Sequence, residues 1–123
     1  MDRFPLTSDM TVGWNLGNTL DAHPRDNATM LPPHESETLW RNPVTTKRLI
    51  DEVAKAGFDV LRVPTTWDRH FADEPGYPID PRWMARVREI VFYGLDNHMR
   101  VILNMHHENW HFPSEENRIP AKE

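Results

Sequence analysis

The sequence predicts an α/β fold in which helices pack on a parallel sheet, and three observations lead there. Apolar runs at residues 10–16, 58–64 and 100–105 are separated by two segments with apolar residues at helical spacing. The second and third runs are almost continuously apolar, as in parallel strands buried on both faces. The long polar loops follow strands, whereas the connections that follow helices are short. A strand–helix–strand–helix–strand order implies parallel crossovers. Elaborate loops at the C-terminal ends of the strands are the layout by which a (β/α) barrel builds its site. An open doubly wound sheet would also bind ligands there, but "GWNLGNT" is not a GxGxxG turn and no GK[ST] occurs.

The elements follow in order. "MTVGWNL" reads as a strand running into the turn "GNTLD", and residues 21–42 as a long polar loop without structure. Asn42-Pro43 carries the cap-plus-proline signal of a helix start. Leu49, Ile50, Val53 and Ala54 then mark the buried side of the first helix, and Gly57 stops it. "FDVLRVP" is the second strand, ended by Pro64, and residues 64–79 are a second long loop. Asp80-Pro81 opens the second helix, which runs to about Asn97 with Trp83, Val87, Ile90, Val91 and Leu95 on one side. Asn97-His98 stands where a glycine stop is common, and both residue types tolerate the left-handed conformation. The third strand, 100–105, runs into "HHENW".

Composition narrows the function. The 123 residues suit one domain. With 14 Lys and Arg against 19 Asp and Glu, the formal charge is -5, and no basic block invites nucleic acid. The absence of cysteine excludes thiolate metal or redox chemistry. No segment is long and apolar enough to span a membrane, and "MDRFPLTSDM" is not a signal peptide. Five Trp is a high number, and four of them (Trp14, Trp40, Trp67 and Trp110) fall at strand ends or in loops. Trp83 belongs to the core side of a helix.

The stretch "VILNMHHENW" asks why polar chemistry follows directly on an apolar strand. A metal site, a sugar-binding site or a capped turn would each explain it. Side chains alternate along a strand, so His106 shares a face with Asn104, and His107 shares one with Leu103 and Met105. The polar pair belongs on the inner face, which makes His106 the ligand residue. His107 is expected to brace it through hydrogen bonds. Adjacent histidines facing opposite ways cannot hold one ion without a bend, and His107, Glu108 and His111 do not form HExxH on a helix. A metal-dependent hydrolase is therefore the weaker reading, and no metal or cofactor is expected. Arg62, inside an apolar strand, reads by itself as a strand-end arginine reaching solvent. Asn15 and Asn18 fit turn chemistry. Loop aromatics can stack on the apolar faces of pyranose rings, and Trp67 and Trp110 are the candidates for that contact, alongside plain loop packing.

Together, "GWNLGNTLDA", "NPVTTKRLIDEVAKAGFDVLRVPTTW" and "YPIDPRWMARVREIVFYGLDNHMRVILNMHHENW" resemble the N-terminal part of a glycoside hydrolase family 5 cellulase, from about Met10 to the end. The resemblance implies a retaining endo-β-1,4-glucanase on a (β/α)8 TIM barrel, of which this chain is the portion with the first three strands and two helices. It implies two catalytic glutamates after the fourth and seventh strands, which have no counterpart here. A barrel needs roughly 250 residues, so the chain reads as a partial catalytic domain, expected to be inactive alone. Glu108, Glu115 and Glu116 follow the third strand and match neither glutamate.

By the same resemblance Arg62 is similar to the arginine that hydrogen-bonds the nucleophile carboxylate, where a fixed guanidinium keeps that carboxylate ionised. His106 is similar to the histidine that contacts a sugar hydroxyl, and Asn18 falls at the cleft floor. The implied partner is a β-glucan polysaccharide or oligosaccharide. A β-mannanase or xyloglucanase of the same family and a non-catalytic glucan-binding half-barrel are the alternatives. Unpaired strand edges also predict self-association or pairing with a complementing segment. Relatives of this kind are commonly secreted, so secretion is the expectation for a full-length protein.

Overall fold

A computed structural model of the chain describes residues 7–73 and 75–108. Three strands, β1 (Gly13–Asn15), β2 (Val60–Val63) and β3 (Arg100–Leu103), form one sheet in the order β1-β2-β3. Both pairings are parallel, with Gly13 opposite Val60 and Val60 opposite Arg100. The helices are α1 (Pro33–Glu37), α2 (Lys47–Lys55) and α3 (Pro81–Leu95).

The register divides the sheet into two faces. Trp14, Leu61, Val63 and Val101 point to the helices, where they meet Ile50, Val53, Trp83, Val87 and Ile90 in the core. Asn15, Arg62 and Ile102 lie side by side on the opposite, inner face. Gly94 of α3 allows the helix to lie directly on the sheet, because a Cβ there would stand 2.8 Å from Val101 Cγ2.

The helix expected at Asn42-Pro43 begins later. Thr46 is the cap, its side chain accepting from Leu49 N at 3.2 Å. Asn42 instead ties this loop to the one after β1, its amide donating to Gly17 O (2.8 Å) and Thr19 Oγ1 (3.3 Å). Leu49, expected inside, is 39% exposed. The loop at 21–42 is not structureless, since α1 forms within it. Its Glu37 is fully buried against Arg86 of α3, so a tertiary ion pair stabilises a helix too short to persist alone.

The second helix starts as expected, with Asp80 accepting from Arg82 N and Pro81 in the first position. Trp83 is fully buried. Gly57 (φ 104°) and His98 (φ 58°) adopt the left-handed conformations predicted for the two helix stops. All three strands are shorter than their apolar runs. Before β1, Asp59 holds the chain: its carboxylate accepts from Thr11 N and Val12 N, each at 3.0 Å.

Candidate functional site

The site lies at the C-terminal ends of the three strands. β1 delivers Asn15 and the loop carrying Asp21 and His23. β2 delivers Arg62, and β3 delivers Asn104, His106 and His107. Arg62 Nη1 reaches Asn15 Oδ1 at 3.4 Å, so its guanidinium lies across the exposed inner face.

The loops are tied to one another by hydrogen bonds. Thr66 N donates to Leu20 O (2.9 Å), and Thr66 Oγ1 donates to Asp21 O (2.8 Å). Buried Asp21 accepts from Thr19 N at 2.8 Å. Beyond β3, Thr65 N donates to Asn104 Oδ1 (3.1 Å) and His106 N donates to Thr65 O (2.9 Å). Asn104 thereby extends the β2–β3 ladder with its side chain.

Strand geometry ends at Leu103, and the predicted alternation of the two histidines ends with it. Their rings do not face opposite ways. They meet edge to face with centroids 4.6 Å apart. Asp21, His106 and His107 each offer one ligand atom, and these atoms lie within 4.8 Å of one another. The adjacent histidines, expected to face opposite ways, converge because the chain bends after the strand.

His107 also differs from its expected role as a hydrogen-bonded brace. Among the described residues its ring is held by aromatic contacts, to His23 (5.3 Å between centroids) and Trp40 (5.5 Å). Trp40 Nε1 donates to His23 O at 3.2 Å, fixing this aromatic corner. Burial lowers the His107 pKa, and the neighbouring His106 and His23 lower it further against the opposing pull of Asp21 and Glu108. The imidazole is therefore neutral at pH 7.

Glu108 is engaged elsewhere. Its two oxygens accept from Trp67 N (2.5 Å) and Asp68 N (2.9 Å), clamping the loop after β2 onto the end of β3. The arrangement thus supplies hydrogen-bonding side chains, an aromatic edge and a fixed guanidinium. Asp21 and Glu108 each already hold backbone N–H groups.

A family model described as Cellulase (glycosyl hydrolase family 5) matches residues 22–123. The chain belongs to glycosyl hydrolase family 5.

Endoglucanase A of Ruminococcus albus is 49% identical over 112 residues, covering 90% of this chain and 29% of that protein. A broad-specificity GH5-4 endoglucanase from Ruminococcus champanellensis, solved with bound cellotriose, matches with a TM-score of 0.86 at 44% identity. That match covers 95% of this chain and 34% of the other. XEG5A, a xyloglucan-specific endo-β-1,4-glucanase from a metagenomic library, matches with a TM-score of 0.77 at 40% identity, covering 89% of this chain and 31% of its own. The chain spans about a third or less of the length of these relatives. The sheet and its helices form the N-terminal part of the family 5 TIM barrel.

Within this family 5 chain the predicted site residues separate. Arg62 lies on the inner face, and His106 follows β3 at the same end of the sheet, with Asn104 and His107 beside it. Trp67 does not join them. Its ring packs against the core, Nε1 donates to Asn104 O at 3.1 Å, and it lines an apolar groove with Phe71, Ile79, Leu103 and Met105. Loop packing, the alternative reading of Trp67, describes this placement. Asn18 is exposed with φ 56°, the left-handed turn geometry its residue type favours. Trp110, His111, Glu115 and Glu116 lie outside the described residues. Asp21 and His23 were missed because each is an unremarkable loop residue in sequence. They become site residues through the Thr66 and Trp40 hydrogen bonds.

Proposed function

We propose that this chain forms one wall of the glucan cleft of a retaining endo-β-1,4-glucanase. The observation that carries the reading is the inner-face placement of Asn15 and Arg62, with Asn104 and His106 following β3 at the same end of the sheet. Arg62 holds a nucleophile carboxylate ionised, and His106 hydrogen-bonds a sugar hydroxyl. Trp40, beside His23 and His107, offers an aromatic edge for a pyranose ring. Retaining hydrolysis needs two carboxyl groups about 5 Å apart, one protonating the leaving oxygen and one attacking the anomeric carbon. Among the described carboxylates at the strand ends, Glu108 clamps a loop and Asp21 holds Thr19 N, and the family resemblance puts the pair after the fourth and seventh strands, beyond the three strands of this sheet. The chain alone therefore binds and orients without cleaving.

A chimera tests this. Residues 10–123 replace the matched segment of Endoglucanase A of Ruminococcus albus, and release of reducing ends from a soluble β-1,4-glucan is measured. The chimera is expected to hydrolyse the glucan, and Arg62→Ala within it to reduce kcat by about 100-fold or more, the scale for removing one preorganised electrostatic contact. A folded chimera that binds cellotriose but leaves the glucan intact would favour a glucan-binding role without cleavage.

A further inference from the structure

The Asp21–His106–His107 cluster has the composition of a zinc site, with three ligand atoms within 4.8 Å of one another. A metal-bound histidine uses one nitrogen lone pair, and its other nitrogen donates N–H to a carboxylate, carbonyl or water. The group beside His106 has the opposite polarity. Thr65 N–H can only donate, and it donates to Asn104 Oδ1 at 3.1 Å. That bond orients the amide, leaving Nδ2, which can only donate, 3.3 Å from His106 Nδ1. Nδ1 must therefore accept, which puts the proton of a singly protonated ring on Nε2.

We propose that Asn104 is a positioning residue that sets the tautomer of His106, so that the ring presents Nε2–H to its ligand as a hydrogen-bond donor and does not bind metal. The lone pair on Nδ1 is engaged by the amide, and Nε2 has none to offer. A sugar hydroxyl, which both donates and accepts, accepts from this N–H. That identity of the ligand rests on the glucan reading above, whereas the tautomer does not. The backbone of Thr65 is the source of the selection: its N–H orients Asn104, and its carbonyl accepts from His106 N at 2.9 Å. One residue of the loop after β2 therefore fixes both the amide and the segment that carries the imidazole.

Long-range nitrogen–proton NMR correlations on the 14.5 kDa chain at neutral pH read the tautomer directly. His106 is assigned by the loss of its signals in His106→Gln. Nε2 protonated with Nδ1 bare is the expected pattern, and the reverse overturns the proposal. Asn104→Asp is close to isosteric: one oxygen still accepts from Thr65 N, and the other now accepts from His106 Nδ1–H. That variant is expected to switch the tautomer and to tighten zinc binding, titrated as the metal alone, by about ten-fold or more. A folded Asn104→Asp chain with unchanged tautomer or unchanged zinc affinity overturns the assignment. Should the variant fail to fold, the spectrum of the unsubstituted chain still decides. Cellotriose titration keeps the two readings apart, because a chain with Nε2–H that ignores cellotriose contradicts the glucan reading and supports the tautomer.

Discussion

Glu37 and Arg86 form a bidentate ion pair with both side chains buried: Nε to Oε1 is 2.9 Å and Nη2 to Oε2 is 3.0 Å. The pair ties α1, in the loop after β1, to α3, and Arg86 Nη2 also donates to Thr45 O at 2.8 Å. Burial opposes the Arg86 charge, but the Glu37 hydrogen bonds and charge more than offset it, so the guanidinium pKa is raised. Removing Glu37 leaves the buried guanidinium with only the half-exposed Glu89, 3.1 Å from Nη1, as counter-charge. Glu37→Ala should therefore cost about 3–5 kcal/mol, read as a lower urea midpoint. Glu37→Leu combined with Arg86→Met should recover most of that loss. A single variant as stable as the parent would show that the pair carries no structural weight.

His70 lies flat on Trp83, with ring centroids 3.7 Å apart and planes 2° apart. Burial pushes its pKa down to about 4, against the pull of Asp80 and Asp68, from an ordinary value of 6.5. The unfolded chain binds this proton more readily than the folded one. Stability from this group is therefore full above pH 6.5 and declines as pH falls toward 4, by roughly 3 kcal/mol in all. His70→Phe keeps the stack and should flatten that part of the stability–pH curve, followed by thermal melts from pH 7 to about 4. An unchanged slope would assign the acid sensitivity to other groups.

Gly94 is the contact point between α3 and the sheet. A Cβ there would stand 2.8 Å from Val101 Cγ2 and 3.0 Å from Leu61 Cδ2. Both neighbours point into a filled core. Gly94→Ala, which helix propensity alone would favour by about 1 kcal/mol, should instead destabilise by about 1–3 kcal/mol through overpacking. A rise in melting temperature would contradict the close approach of helix and sheet.

In the described residues β1 and β3 pair on one side only, and Ile102 (41%), Leu103 (44%) and Met105 (60%) are exposed beside the β3 edge. Unpaired edges with apolar side chains recruit further strands. The 123-residue chain should self-associate with concentration in sedimentation velocity. Ile102→Lys together with Met105→Lys should shift it toward monomer. A parent chain that stays monomeric over the whole range would mean that the edge is protected.

Much of the fold was legible because it follows from local chemistry. The Asp80-Pro81 start and the Gly57 and His98 stops each depend on the chain's own periodicity or residue type. The errors arose where distant residues compete for the same groups. Asn42 resembles a helix cap, but the carbonyl of Gly17 engages its amide. The segment holding α1 reads as plain polar loop, because the partner of Glu37 lies 49 residues away. Trp67 is a loop aromatic by position, yet Asn104 O and the core fix its indole among apolar side chains.

By itself the sequence determined the three strands and the two crossover helices, the parallel sheet, its polar end and the family, since periodicity, turn residues and local motifs are written in neighbouring positions. Only the tertiary structure decided what stands around His106. Strand alternation lapses after Leu103, and the orientation of the imidazoles then depends on Thr65, Asn104, His23 and Trp40. These come from three different loops, and packing and hydrogen bonding across the sheet end, not sequence proximity, bring them together.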